Sequence, residues 1–135
     1  MSLATRINHV GMAVPSIDAF LAENELLYGG FERGPLIVNE TQQVRELFLS
    51  KDGQVVELLE PLGDESPIQG FLRRNPRGGL IHVTFDVEDV EAAIAAIEQD
   101  GGRLITGPVP DIAFDQRRIA FVFVGGQVIE LIEAT

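Results

Sequence analysis

His9 and Glu57 are 48 positions apart (57 minus 9), and His82 and Glu130 are also 48 apart (130 minus 82). The flanking residues repeat in the same phase. Asn8-His9-Val10-Gly11-Met12-Ala13-Val14 aligns without gaps on Ile81-His82-Val83-Thr84-Phe85-Asp86-Val87, and Val55-Val56-Glu57-Leu58-Leu59-Glu60 aligns on Val128-Ile129-Glu130-Leu131-Ile132-Glu133. The chain is a tandem duplication, and repeats fold as copies of one supersecondary unit. Its 135 residues suffice for one domain with a useful core. The expected organisation is module one at 5–64, a connector at 65–78 and module two at 79–135.

Periodicity gives each module the same element order. From Arg6 to Val14 the pattern alternates, with Val10, Met12 and Val14 on one face and Ile7, His9 and Gly11 on the other, which reads as a strand. Ser16 can cap a helix with Ile17, Phe20 and Leu21 at core spacing, ended by Gly29-Gly30. Strands follow around Phe31 to Val38, Val44 to Ser50 and Gln54 to Pro61, the last two joined by an Asp52-Gly53 turn. Ser66 to Gly79 reads as a capped short helix and a Gly-rich connector. The second copy has a strand at Leu80 to Val87 and a helix with Val90, Ala93, Ile94 and Ile97 inward, stopped by Gly101-Gly102. Strands near Arg103 to Thr106, Arg117 to Val124 and Gln127 to Glu133 complete it. The predicted class is α+β: two tandem β-α-β-β-β modules forming a curved mixed sheet around a central metal cleft.

Strand parity points the polar pairs the same way. Where large apolar residues of the first strands cover the helices, His9 and His82 are left on the opposite face. In the last strands Val56, Leu58, Ile129 and Leu131 cover the helices and leave Glu57 and Glu130 on that same side. A His or Glu on a strand is usually a surface residue, yet these four interrupt strongly apolar strands at matched places, and unpaired buried charge is costly. Neutral imidazole with carboxylate oxygen is a ligand set for a borderline divalent ion. His9, Glu57, His82 and Glu130 are therefore the expected ligands of one divalent metal. Two positions stay open in an octahedral shell, which suits cobalt, nickel, manganese, iron or magnesium better than a closed tetrahedral zinc, although zinc remains among the candidates.

The halves differ at one informative place. Glu46 stands eleven residues before Glu57, and the position eleven before Glu130 is Ile119. Val44, Glu46 and Phe48 share a strand face, so an inward Glu46 would be a carboxylate beside the metal and not needed to hold it. That suits a general base.

Composition removes several function classes. A net charge of -11 argues against nucleic acid or anionic membrane as a partner, since either needs a basic face. Arg73, Arg74 and Arg77 are clustered, either as cations at the C-terminal end of a short helix or as a local phosphate-binding island. Cys is absent, which excludes disulfides, a thiolate nucleophile and a Cys-type zinc site, and suits a reducing cytoplasm. Met1-Ser2-Leu3-Ala4-Thr5-Arg6 lacks the pattern of a signal peptide, and no run is apolar enough to span a bilayer. A soluble cytoplasmic protein is expected.

With these residues in place, the chain resembles the vicinal oxygen chelate superfamily, which holds glyoxalase I, methylmalonyl-CoA epimerase, extradiol dioxygenases and antibiotic-resistance proteins. It is most similar to the methylmalonyl-CoA epimerases, through Ile7-Asn8-His9-Val10-Gly11-Met12-Ala13-Val14, Val56-Glu57-Leu58-Leu59-Glu60-Pro61-Leu62, Ser66-Pro67-Ile68-Gln69-Gly70-Phe71-Leu72, Gly79-Leu80-Ile81-His82-Val83 and Val128-Ile129-Glu130-Leu131. The resemblance implies a metal that polarises the carbonyl of an acyl-CoA thioester, an enolate, and two carboxylates flanking the α-carbon, matched here by Glu46 and Glu130. It also implies a homodimer, which the exposed edges of β-α-β-β-β units favour, with each metal site formed within one chain.

The chain departs from the epimerases in loops that shape the substrate pocket. Ile81-His82 replaces a His-His pair, Ile112-Ala113-Phe114-Asp115-Gln116 a Gly-containing loop, and Val124-Gly125-Gly126 a longer turn. Two alternatives share the fold: a glyoxalase I-like lyase, and a non-enzymatic sequestering protein of the bleomycin-resistance type that needs no metal. Against the first, Leu58-Leu59-Glu60-Pro61 follows Glu57 in place of an Asn-containing segment. A dioxygenase with two His and one Glu around iron would leave Glu57 superfluous.

Overall fold

Strand β1 (Ala4–Ala13) alternates buried and half-buried residues from Asn8 onward, with His9, Gly11 and Ala13 buried. The computed structural model describes residues 3–134. Met1 and Ser2, at the start of the segment read for a leader, and Thr135, at the end of module two, lie outside the described residues. The chain forms two compact units, one of residues 10–81 and the other of the described residues up to His9 with those from His82 onward. β1 contributes to both.

In the unit of residues 10–81 the strand order is β2 (Glu32–Arg33), β4 (Val44–Lys51), β5 (Gln54–Pro61), β1, with β3 (Ile37–Asn39) also on β4. β1 and β5 are parallel with Gly11 opposite Glu57. β4 and β5 are an antiparallel hairpin with Phe48 opposite Glu57. Its two-residue turn needs positive φ at both positions, supplied by Asp52 at 52° and Gly53 at 78°.

Ser16 caps α1 (Ile17–Glu23), its Oγ accepting from Ala19 N at 3.1 Å. Val14, Ile17, Leu21, Leu47, Leu49 and Leu58 make the core beneath this helix. The helix does not run unbroken to Gly29. Asn24 turns both its backbone N–H (3.0 Å) and its Nδ2 (2.9 Å) onto Phe20 O, the local competition by which Asn ends helices, and α2 (Glu25–Tyr28) starts afresh. The strand expected from Phe31 to Val38 is likewise split into β2 and β3. Pro35 lacks an N–H to give a ladder and restricts Gly34 before it. A second cluster, Ala13, Val44, Leu59, Ile68 and Leu72, packs α3 (Gln69–Arg74). The short helix expected within Ser66 to Gly79 forms without a side-chain cap: its N-cap is Ile68, and Ser66 O accepts from Gln69 N at 3.1 Å. Arg73 and Arg74 occupy the last turn of α3, where the helix dipole favours cations.

In the other unit the order is β1, β6 (Gly79–Val87), β9 (Gln127–Glu133), β8 (Arg118–Val124), β7 (Arg103–Pro110). β6 and β9 are parallel with Thr84 opposite Glu130. β8 and β9 are antiparallel with Phe121 opposite Glu130. Asp89 caps α4 (Val90–Gln99), accepting from Ala92 N at 3.0 Å. Val87, Val90, Ala93, Ile94, Ala120, Val122, Ile129 and Leu131 form its core. The mixture of parallel and antiparallel pairs with helices in each unit makes the class α+β, as the duplication implies.

The repeat extends to single atoms. A shift of 73 maps Ile17, Arg45 and Glu60 onto Val90, Arg118 and Glu133 (90 minus 17, 118 minus 45, 133 minus 60). Glu60 Oε1 accepts from Ile17 N at 2.8 Å and Oε2 from Arg45 at 3.3 Å. Glu133 Oε2 accepts from Val90 N at 2.9 Å, and Arg118 holds both carboxylate oxygens at 3.0 Å. A strand carboxylate thus satisfies an otherwise unpaired N–H at the start of α1 and of α4, where negative charge is favoured. No helix among the described residues is long and apolar enough to cross a membrane.

Candidate metal centre

His9, His82 and Glu130 lie on β1, β6 and β9 at positions whose neighbours cover the helix side, so their side chains fall on the opposite face. They are 2%, 8% and 3% exposed. His9 Nε2 stands 3.6 Å from Glu130 Oε1, and His82 Nε2 stands 3.5 Å from the same oxygen. The two imidazole rings meet edge to face with centroids 5.9 Å apart. These N···O separations exceed ordinary hydrogen bonds of about 2.7–3.2 Å. Two donors bonded to one ion at about 2.1 Å stand roughly 3.0 Å apart at a right angle and roughly 3.4 Å apart at a tetrahedral angle, so the observed spacing fits a shared cation with little adjustment.

The surroundings favour a cation further. Thr84, fully buried, gives its hydroxyl to Glu130 Oε1 at 2.8 Å and lies 3.1 Å from His9 Nε2. On the far side of the His9 ring, Asn8 Oδ1 is 2.8 Å from Nδ1. Phe114 stacks on His9 with centroids 5.7 Å apart, and Phe121 meets His82 edge to face at 5.6 Å. An apolar aromatic wall lowers the local dielectric and strengthens charge interactions inside it.

The unit of residues 10–81 carries the other two carboxylates named from the sequence. Glu57 is 2% exposed, opposite Gly11 on one side and Phe48 on the other. Glu46 is 3% exposed, with Asn39 Nδ2 donating to its Oε1 at 2.7 Å; Asn39 is itself 2% exposed. The place of Glu46 in the other unit is taken by Ile119, also buried. His9, His82 and Glu130, all of one unit, form a buried His/Glu group of the kind that could hold a metal ion.

Four residues of these surroundings escape a reading of the sequence. Thr84 shares parity with His82 two positions away, a signal that could have found it. Asn8 and Asn39 act through side-chain hydrogen bonds that no periodicity encodes. Phe114 sits in a 3-10 turn (Ile112–Phe114) held by Asp111, whose side chain accepts from Ala113 N at 2.8 Å.

The model of the Glyoxalase/Bleomycin resistance protein/Dioxygenase superfamily matches residues 8–121. The chain belongs to that superfamily. Among its superfamily relatives, an ethylmalonyl-CoA/methylmalonyl-CoA epimerase of Cereibacter sphaeroides is 35% identical over 117 residues, covering 87% of each chain. The crystal structure of methylmalonyl-CoA epimerase from Mycobacterium tuberculosis superposes with a TM-score of 0.83 at 28% identity, over 100% of this chain and 91% of that one. A Streptomyces coelicolor methylmalonyl-CoA epimerase in complex with 2-nitronate-propionyl-CoA superposes with a TM-score of 0.80 at 32% identity, over 98% and 99%. The superfamily fold therefore extends over essentially the whole chain.

Proposed function

We propose that this chain is a divalent-metal-dependent epimerase of methylmalonyl-CoA or a similar acyl-CoA thioester. The observation that carries the reading is the approach of two buried imidazole nitrogens, from His9 and His82, to one buried carboxylate oxygen of Glu130 at 3.6 and 3.5 Å. Relatives that carry the epimerase name, one of them bound to a propionyl-CoA analogue, support the substrate class.

His9, Glu57, His82 and Glu130 are assigned as ligands of one ion. Glu57 is included because it stands to β1 and β4 as Glu130 stands to β6 and β8: each faces a Phe on one neighbour, and each lies 48 residues after its His. Cobalt, nickel, manganese, magnesium and zinc all accept such a set. A divalent ion held there would polarise the thioester carbonyl and lower the cost of the negative charge left when the α-proton departs.

The chain's own residues then have to move the proton. Inversion at carbon requires one group to take the proton and a second to return it to the other face. Glu46 and Glu130 are assigned those tasks. Asn39 holds Glu46 in place by donating to Oε1 at 2.7 Å. Thr84 holds Glu130 in the same manner at 2.8 Å. Phe114 and Phe121 help exclude water, which would otherwise compete for the carbanionic carbon.

The assembly is inferred to be a homodimer with each centre built within one chain. β7 supports this as an outer strand with Leu104 and Ile105 exposed, an edge that association would cover. Light scattering at the mass of one chain would overturn it. The cytoplasm is the inferred compartment, in keeping with a chain that has no Cys.

The deciding experiment follows exchange of the α-proton of methylmalonyl-CoA in heavy water, with the protein stripped of metal and then reloaded with cobalt. Exchange with racemisation in the loaded protein alone is the expected result. Tight metal binding without exchange on any acyl-CoA thioester would overturn the epimerase reading.

A further inference from the structure

We infer that Asn8 is a positioning residue for the metal centre and that, through Asp86, it fixes the tautomer of His9 so that Nε2 is the ligand atom. The inference rests on the metal-dependent reading above and adds how one ligand is set.

All the groups involved belong to one unit. Asp86 has a side chain only 14% exposed, with Arg6 Nε 3.4 Å from Oδ2. Asn8 Nδ2 donates to Asp86 Oδ1 at 3.0 Å. A carboxylate oxygen accepts, whereas an amide has one donating and one accepting end. The nitrogen of Asn8 must therefore face Asp86. That orientation turns Oδ1 toward His9 Nδ1, 2.8 Å away. An amide oxygen also can only accept, so the hydrogen of the neutral His9 ring lies on Nδ1. The Nε2 lone pair is then directed at Thr84 Oγ1 and Glu130 Oε1, at 3.1 and 3.6 Å.

The device is one-sided. In the repeat, Asn8 aligns with Ile81 and Asp86 aligns with Ala13, neither an amide nor a carboxylate. Without the relay, a neutral imidazole divides between two tautomers, and only one of them offers a lone pair at Nε2. Hydrogen bonds that orient a ligating His in this way are generally worth 10–100-fold in metal affinity.

The test reads the ¹⁵N shifts of His9 in metal-free protein and the cobalt affinity by calorimetry on the same samples. Wild type should show Nδ1 protonated and Nε2 bare. Asn8→Leu should give mixed tautomers and an affinity about 10–100-fold lower. The pair Asn8→Asp with Asp86→Asn exchanges the amide and the carboxylate, keeps an acceptor facing Nδ1, and should restore both readings; a merely structural role would not move the tautomer. An Nε2-protonated His9 in wild type would overturn the inference, as would Asn8→Leu with unchanged shifts and unchanged affinity. Because the shifts are read without metal, they decide the tautomer even if wild type binds no cobalt, a result that would sink the metal-dependent reading instead.

Discussion

Thr84 and Glu130 face each other across the parallel pair β6 and β9, and the Thr84 hydroxyl donates to Glu130 Oε1 at 2.8 Å. The symmetry-related residue, Gly11, faces Glu57 in the same register with no side chain to offer. One carboxylate of the repeat therefore has a built-in donor from its strand neighbour and the other does not. Thr84→Val keeps the shape and removes that donor, leaving a buried carboxylate short of a hydrogen bond at a cost of about 1–3 kcal/mol. Metal-free Thr84→Val should be less stable to urea by that amount. Added cobalt should narrow the gap, because an ion satisfies the oxygen that Thr84 no longer serves. Equal stability of the two metal-free proteins would refute this role for the hydroxyl.

Glu46→Gln preserves size and removes the proton acceptor. Metal should stay bound while α-proton exchange falls by about 10²–10⁴-fold, the usual worth of a positioned base. Glu130→Gln should lower both metal affinity and exchange, since that residue has two assigned tasks. Wild-type exchange in Glu46→Gln would make Glu46 a structural partner of Asn39 and end the two-carboxylate mechanism. Loss of metal from it would make Glu46 a ligand.

The repeat and the two-residue period made the strand faces legible, because parity alone decides which side a residue takes. That reasoning placed His9, His82 and Glu130 on the face away from the helices, and turn and cap chemistry placed Asp52-Gly53 and Ser16. It failed where one side chain overrides a pattern. Asn24 bonds back to Phe20 and breaks a helix whose apolar spacing continues, and Pro35 interrupts a strand whose neighbours both pair with β4. The surroundings of His9 were least legible. Asn8 and Asp86 are 78 residues apart, and their meeting depends on β1 lying beside β6, which no local window contains. Phe114 reaches His9 from a turn whose conformation depends on left-handed backbone at Asp115 and Gln116, with φ of 54° and 64°.

Glu57 tests the fourth ligand. If it binds the ion, Glu57→Ala should weaken cobalt binding by at least the 10–100-fold that even indirect partners are worth, and should alter the visible absorption of the cobalt protein, which reports its coordination. An unchanged affinity and an unchanged spectrum would leave a centre of His9, His82 and Glu130 and remove Glu57 from it.

Glu133 should make part of the protein's stability depend on pH. Hydrogen bonds from Arg118, then from Val90 N, hold its carboxyl below the ordinary value of 4.5, while Glu133 in turn raises the Arg118 pKa. A carboxyl whose pKa is lower in the folded state binds fewer protons there than when unfolded. Its contribution is complete above about 4.5, the unfolded value, and is lost as the pH falls through the folded value. Glu133→Gln should therefore be less stable than wild type near neutrality, with the difference shrinking toward zero as the pH drops below 4.5. Urea midpoints taken from pH 7 down into that acid range give the comparison. A gap that stays constant across the range would mean that packing or the helix cap at Val90, and not the charge of Glu133, accounts for its effect.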